Sequence, residues 1–234
     1  MQGLKRVKRC LAFLLVAWAL LLSFGINIAA EAQIIYRYAS KTGPARIALT
    51  FDDGPHPRYT PLILDILEEF EIKATFFAVG SNVEAYPELV KRIAREGHEL
   101  GNHTFHHNHV AKMTLEDLTQ DINRCNDAIE KITGNRPRYF RPPEGVCTKS
   151  VQEICSATDT TIVMWSVDTR DWAHPPIAEI FQNVRRNTQN GSIILMHDFI
   201  GKNSPTPEAL RQIIPMLLEL GYEFVTVSQL LEGG

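Results

Sequence analysis

Cysteine is scarce in this chain, with four in 234 residues. Cys10, Cys125, Cys147 and Cys155 lack the close paired spacing of a structural zinc site, and three of them beyond residue 32 leave at least one unpaired in a monomer. A Cys147–Cys155 bridge is compatible with an oxidising compartment, but small buried hydrophobes are the favoured reading. Basic charge is short as well. Residues 1–32 hold four basic residues and one acidic residue, so the remainder carries 20 Lys+Arg against 26 Asp+Glu, near −6. That balance argues against nucleic acid or anionic lipid as the main partner. Internal repeats are absent, no second domain is visible, and a hydrophobic content of 44% suits one domain with an ample core.

Long apolar runs are limited to one. Lys5, Arg6, Lys8 and Arg9 precede an apolar stretch over residues 11–30, and Ala30-Glu31-Ala32 offers a small-residue cleavage site, the layout of a secretory signal. Left uncut, the same stretch would span about 30 Å of hydrocarbon with its basic end inside. Cys10 lies before that run, a poor place for a lipid anchor. The expected organisation is a signal peptide or membrane anchor over 1–32 and an extracytoplasmic domain over 33–234, secreted or held at the cell envelope.

What the chain does have is a concentration of metal-ligand chemistry. Thr50-Phe51-Asp52-Asp53-Gly54-Pro55 puts two carboxylates side by side at the end of an extended segment, where they project in opposite directions and can do different work. His103 and His107 stand at i and i+4, the spacing that puts two imidazoles one helical turn apart on one face. Asp53 with these two histidines makes a His₂-carboxylate set suited to Zn²⁺ with open positions for water and substrate, which marks a catalytic rather than a structural centre. Taken alone, Asp-Asp-Gly-Pro is more often a turn. His106 and His109 crowd the same segment off the i+4 spacing and read as solvated loop histidines.

Apolar segments over 46–51, 74–79, 98–102, 138–141, 161–165, 192–197 and 223–225 read as short buried strands. Helical stretches fall between them at 59–70, 83–96, 115–132, 149–156, 177–187 and 207–220. Thr114 with Asp117 looks like a capped helix start, and Gly97, Gly134 and Gly221 sit where helices should stop. Alternation of this kind implies parallel strands with crossover helices, and the candidate residues then gather at the carboxyl ends of strands, where such folds bind ligands.

On five motifs in order, the chain resembles the polysaccharide deacetylases of carbohydrate esterase family 4. They are Thr50 to Pro55, His103 to His107, Arg141-Pro142-Pro143-Glu144-Gly145, Asp168-Thr169-Arg170-Asp171-Trp172 and Leu195-Met196-His197. The resemblance implies an α/β fold, the distorted (β/α)7 barrel of the NodB-homology type. It implies Asp52 as general base oriented by Arg141, and Asp53, His103 and His107 as ligands of Zn²⁺ or another divalent metal such as Co²⁺. His197 becomes the general acid tuned by Asp171, and Trp172 and Leu195 the walls of an acetyl pocket. Glu144 stands where the family usually has an aromatic residue, and its backbone N–H is expected to assist at the oxyanion. The expected substrate is an acetylated glycan, foremost peptidoglycan amino sugars. Chitin oligomers and O-acetyl xylan are the alternatives. The expected form is a monomer with no nucleic-acid partner.

Overall fold

Strand β2 (Arg46–Asp52) is apolar or fully buried at six successive positions, which only a strand covered on both faces tolerates. Period two then divides its side chains. Ile47, Leu49 and Phe51 pack outward into the largest apolar cluster, against Ile63, Leu64 and Leu67 of helix α1 (Tyr59–Glu69) and Ile213 and Leu217 of helix α7 (Thr206–Glu219). Ala48, Thr50 and Asp52 point to the other face. Each fully buried Leu or Ile on the outer face contributes roughly 1.5–3 kcal/mol.

The computed structural model describes residues 31–39, 41–201 and 203–232. The expected leader, with its apolar run over 11–30, lies outside the described residues. Among the described residues no helix is long and apolar enough to cross a membrane.

All seven expected strands are present: β2, β3 (Thr75–Ala78), β4 (Glu99–Asn102), β5 (Tyr139–Phe140), β6 (Thr161–Val163), β8 (Ile193–His197) and β9 (Glu223–Val225). Two-residue strands β1 (Ile34–Ile35) and β7 (Val167–Asp168) add to them, too short to register as periodicity. The order is β1-β6-β5-β4-β3-β2-β8-β7, with β9 on the first half of β2, and the paired strands are parallel. Parallel neighbours require crossovers. These are α1, α2 (Gly80–Ala85), α3 (Pro87–Arg95), α4 (Leu115–Thr133), α5 (Lys149–Ala157), α6 (Ile177–Asn187) and α7, with a last helix α8 (Val227–Glu232) after β9.

One expected helix, 83–96, is two. Tyr86 sits at φ −129°, ψ 56° before Pro87, because the proline ring excludes the helical conformation from the residue ahead of it. Helix α4 starts and stops as its sequence indicates: Thr114 accepts the Asp117 N–H, and Gly134 takes φ 74° at the carboxyl end. Cys125 and Cys155 are buried, Cys147 is partly so, and all three are free thiols.

Candidate active site

The expected site residues converge at the carboxyl ends of β2, β4, β7 and β8 and on the turn after β5. They line a cavity of about 350 Å³ with Asp52, Asp53, His103, His107, Glu144, Trp172, Leu195 and His197 on its walls. Arg141 and Asp171 stand behind it, fully buried.

Asp52 ends β2 on the inner face. Arg141 follows β5 and extends its guanidinium beneath the site, donating to Asp52 Oδ1 at 2.7 Å, Thr50 Oγ1 at 2.9 Å, and the carbonyls of Val163 and Met164 at 3.0 Å each. Phe77 lies flat under it, 4.1 Å from the guanidinium carbon. This buried cation is therefore both paired and hydrogen-bonded, the condition under which burial is tolerated. With Oδ1 held, Asp52 keeps Oδ2 facing the cavity side, 3.8 Å from His103 Nε2.

Asp53 is thrown to the other side by the turn that follows, at φ 76°, a conformation secured by Asn82 donating to its carbonyl at 2.8 Å. Gly54 is obligatory next to it, since a Cβ there would lie 2.0 Å from the buried Asp198 carboxylate. Asp53 Oδ1 lies 3.4 Å from His103 Nε2 and 3.1 Å from His107 Nε2, and the three donor atoms all lie within 4.8 Å of one another. Yet Oδ1 is buried without a hydrogen bond. Ligand atoms about 2.0–2.2 Å from a tetrahedral ion stand about 3.4 Å apart, so the spacing suits a shared cation better than a hydrogen-bonded trio. His103 Nδ1 donates to the Arg141 carbonyl at 2.7 Å, which leaves the Nε2 lone pair aimed at Asp53, the usual support of a metal-binding histidine. Burial alone would raise the Asp53 pKa, but His103 and His107 outweigh it and hold the carboxyl well below the usual range. An anion and two imidazoles focused on one point fit a divalent cation.

The two histidines do not reach that point on a helix. Residues 103–107 form an irregular loop with Thr104 at φ 66° and His107 at φ 56°, so the i, i+4 spacing succeeds through left-handed backbone rather than a helical turn. His106 is not merely solvated: its Nδ1 donates to Asp121 Oδ1 at 2.5 Å. His109 stays at the cavity mouth, 3.6 Å from Glu144.

His197 ends β8 opposite the trio. Its Nδ1 donates to Asp171 Oδ1 at 2.8 Å, while Asp171 Oδ2 takes the His197 N–H at 2.8 Å and the Thr206 hydroxyl at 2.7 Å. Burial lowers the pKa of His197, but Asp171, Asp52 and Asp53 more than reverse this and push it up to about 9. Leu195 is buried and Trp172 half-exposed on the adjoining wall. Glu144 caps the mouth at φ 58°.

Several contributors had no role in the sequence reading, although Thr50, Gly145 and Asp168 belong to its motifs. Trp165, Asp168 and Gly145 also line the cavity. Thr50 shares Arg141 with Asp52. Asp121 clamps the histidine loop from α4, and its signal was a charge among Leu118, Ile122 and Cys125 on the buried face of an amphipathic helix.

The family model for polysaccharide deacetylase matches residues 39–163. A peptidoglycan-N-acetylglucosamine deacetylase of Bacillus cereus is 43% identical over 187 residues, covering 79% of this chain and 87% of the relative. A crystal structure of a peptidoglycan N-acetylglucosamine deacetylase superposes with a TM-score of 0.80 at 38% identity, over 85% of this chain and 94% of the other. A family 4 acetyl xylan esterase from Clostridium thermocellum, in complex with a cobalt ion, gives a TM-score of 0.74 at 34% identity, over 80% and 90%. The chain belongs to the polysaccharide deacetylase family, and its fold is that family's distorted (β/α)7 barrel.

Proposed function

We propose that this protein is a metal-dependent hydrolase that removes N-acetyl groups from the amino sugars of peptidoglycan, releasing acetate. The observation that carries this reading is the placing of three kinds of group around one 350 Å³ cavity: the Asp53, His103 and His107 donors, the Asp52–Arg141 pair, and the His197–Asp171 pair. The kinship with peptidoglycan-N-acetylglucosamine deacetylases supports the choice of polymer.

Asp53, His103 and His107 would hold a divalent cation, which when bound would supply Lewis-acid polarisation of the acetamide carbonyl and lower the pKa of water. Zn²⁺ suits the donor set, and Co²⁺ is the natural replacement. Asp52 takes the proton of the attacking water through its free oxygen, while Arg141 holds the other. The backbone N–H of Glu144 supports the oxyanion that develops as the water oxygen adds to the carbonyl carbon. His197, protonated at neutral pH, hands its Nε2 proton to the amide nitrogen as the C–N bond breaks, so the sugar leaves as an amine. Leu195 and Trp172 enclose the methyl group. We assign this catalysis to residues 33–234, working outside the cytoplasm behind a leader or anchor at 1–32.

The test is acetate release by the Zn²⁺- or Co²⁺-loaded protein from purified peptidoglycan, chitin oligomers and acetylated xylan side by side, with identification of the newly freed amino sugar. Peptidoglycan should be preferred, and a chelator should abolish release until metal is restored. Full activity after metal removal, or a preference for xylan, overturns the reading.

A further inference from the structure

The loop that carries His103 and His107 has no ladder to shape it. Each N–H of residues 104–107 instead ends on a side-chain oxygen. Thr104 N–H donates to Asn102 Oδ1 at 2.7 Å, Phe105 and His106 N–H both donate to Asp121 Oδ2 at 2.8 and 3.2 Å, and His107 N–H donates to Thr104 Oγ1 at 3.0 Å. Asn102 is in turn pinned to α4 through the Ile122 carbonyl at 2.8 Å and Asn126 Oδ1 at 2.7 Å. Asp121 is buried to 6% exposure and takes a third bond from the His106 ring. Two of the four loop amides thus rest on one carboxylate from another element.

We propose that Asp121 is a positioning residue that sets the affinity of the site for its cation by clamping this loop. The inference rests on the reading of Asp53, His103 and His107 as the ligands. Left-handed backbone at a residue with a side chain is strained and persists only where its surroundings hold it, and here the loop that contains Thr104 and His107 is tied down on two sides. On the far side, the loop's own carbonyls accept from α2: Gly80 N–H bonds Thr104 O and Ser81 N–H bonds Phe105 O, each at 2.9 Å. Without the carboxylate, the Phe105 and His106 amides lose their acceptors inside the protein. The loop then relaxes toward ordinary backbone angles to find others. Its two imidazoles leave their common focus, although neither touches Asp121. A neutral asparagine keeps one oxygen in place for the two amides, so charge and geometry separate.

The experiment is a titration of the full-length chain with Co²⁺, read by its visible absorption and by competition with a chelator. Asp121→Ala should weaken Co²⁺ binding about 10- to 100-fold, the range in which supporting partners of metal ligands act. It should also change the absorption band as the ligand geometry loosens. Asp121→Asn should restore affinity to within about threefold of wild type, and His106→Ala, which spares both amide bonds, should stay as close. Thr114→Ala removes the cap of the same helix and lowers its stability; it should leave Co²⁺ affinity unchanged. An Asp121→Ala protein that binds Co²⁺ like wild type overturns the proposal, as does an equal loss in Thr114→Ala, which would reduce Asp121 to a stabiliser of α4. A wild-type chain that binds no Co²⁺ overturns the ligand reading and the clamp with it.

Discussion

Strand β4 is four residues long and has a buried histidine at each end, yet the two do opposite things. His98, at its amino end, accepts the Ala74 N–H on Nδ1 at 3.2 Å, and burial pushes its pKa down to about 4. His103, at its carboxyl end, donates from Nδ1 and turns a free Nε2 toward a carboxylate. The cavity at the His98 end is the larger, about 560 Å³ against 350 Å³. Its charged walls are already spent: Glu99 takes the hydroxyls of Thr75 and Ser228, and Arg136 pairs with Asp127 and Glu130. The smaller cavity keeps a buried carboxylate oxygen without a hydrogen bond and imidazole lone pairs aimed at it. Unsatisfied donors and acceptors, and not volume, mark the working end of a parallel sheet.

The sharpest break of this contrast is a pair of substitutions. Asp52→Asn at the carboxyl end should lower kcat about a thousandfold, within the range for loss of a positioned base, while Zn²⁺ affinity stays within a few-fold. His98→Leu at the other end should leave kcat within about twofold and lower stability by about 1 kcal/mol for the lost hydrogen bond. Single-turnover acetate release and a denaturant titration check both. Near-normal turnover in Asp52→Asn would remove that residue from the base role.

A second break uses pH, because the histidines titrate on opposite sides of neutrality. In the metal-free protein His197 has a folded pKa of about 9, above the ordinary 6.5. Its contribution to stability is full below pH 6.5 and is lost as pH rises through 9. His98, with a folded pKa of about 4, contributes fully above pH 6.5 and loses that contribution as pH falls toward 4. Each shift corresponds to roughly 3 kcal/mol at the linkage rate of about 1.4 kcal/mol per unit. Asp198, whose burial pushes its pKa up to about 7, runs against His98 over the same interval, so chemical denaturation of metal-free protein from pH 4 to 9 is read as the difference between wild type and each substitution. His197→Asn should flatten the alkaline limb and His98→Leu the acid limb. A pH dependence left unchanged by its substitution refutes the assignment for that histidine.

The barrel was legible because buried parallel strands write themselves as apolar runs, and Ile193–Met196 or Thr75–Ala78 fit no other role. Strands β1 and β7 were not, since two residues carry no period. Placement at the cavity was legible where one motif carries the residue, as in Asp52 and Asp53 or His197. It failed where geometry comes from afar. Spacing set His103 and His107 side by side, as the fold does, but by the wrong route, because a helical turn and a left-handed loop place i and i+4 alike. The loop's shape is set by Asn102 and by Asp121, the latter fourteen residues past His107, in a pattern that read only as an amphipathic helix.

The smallest expected effect lies at the mouth of the cavity. Glu144 keeps 60% of its side chain exposed and has His109 at 3.6 Å, a half-exposed neighbour that neutralises it only when protonated. A carboxylate there repels the free lactyl carboxylate of a muramic acid residue stripped of its stem peptide and is indifferent to a neutral N-acetylglucosamine. Exposed charges act through solvent and salt, with a screening length of about 8 Å at physiological ionic strength, so the repulsion amounts to roughly 0.5 kcal/mol. Glu144→Gln should raise kcat/KM about two- to threefold on muramic acid residues in peptide-free glycan and leave neutral chitin oligomers unchanged. The gain should vanish in 1 M salt, where the screening length falls to about 3 Å. An equal gain on both substrates would point to altered backbone at φ 58° instead of charge, since the N–H proposed to support the oxyanion belongs to the same residue.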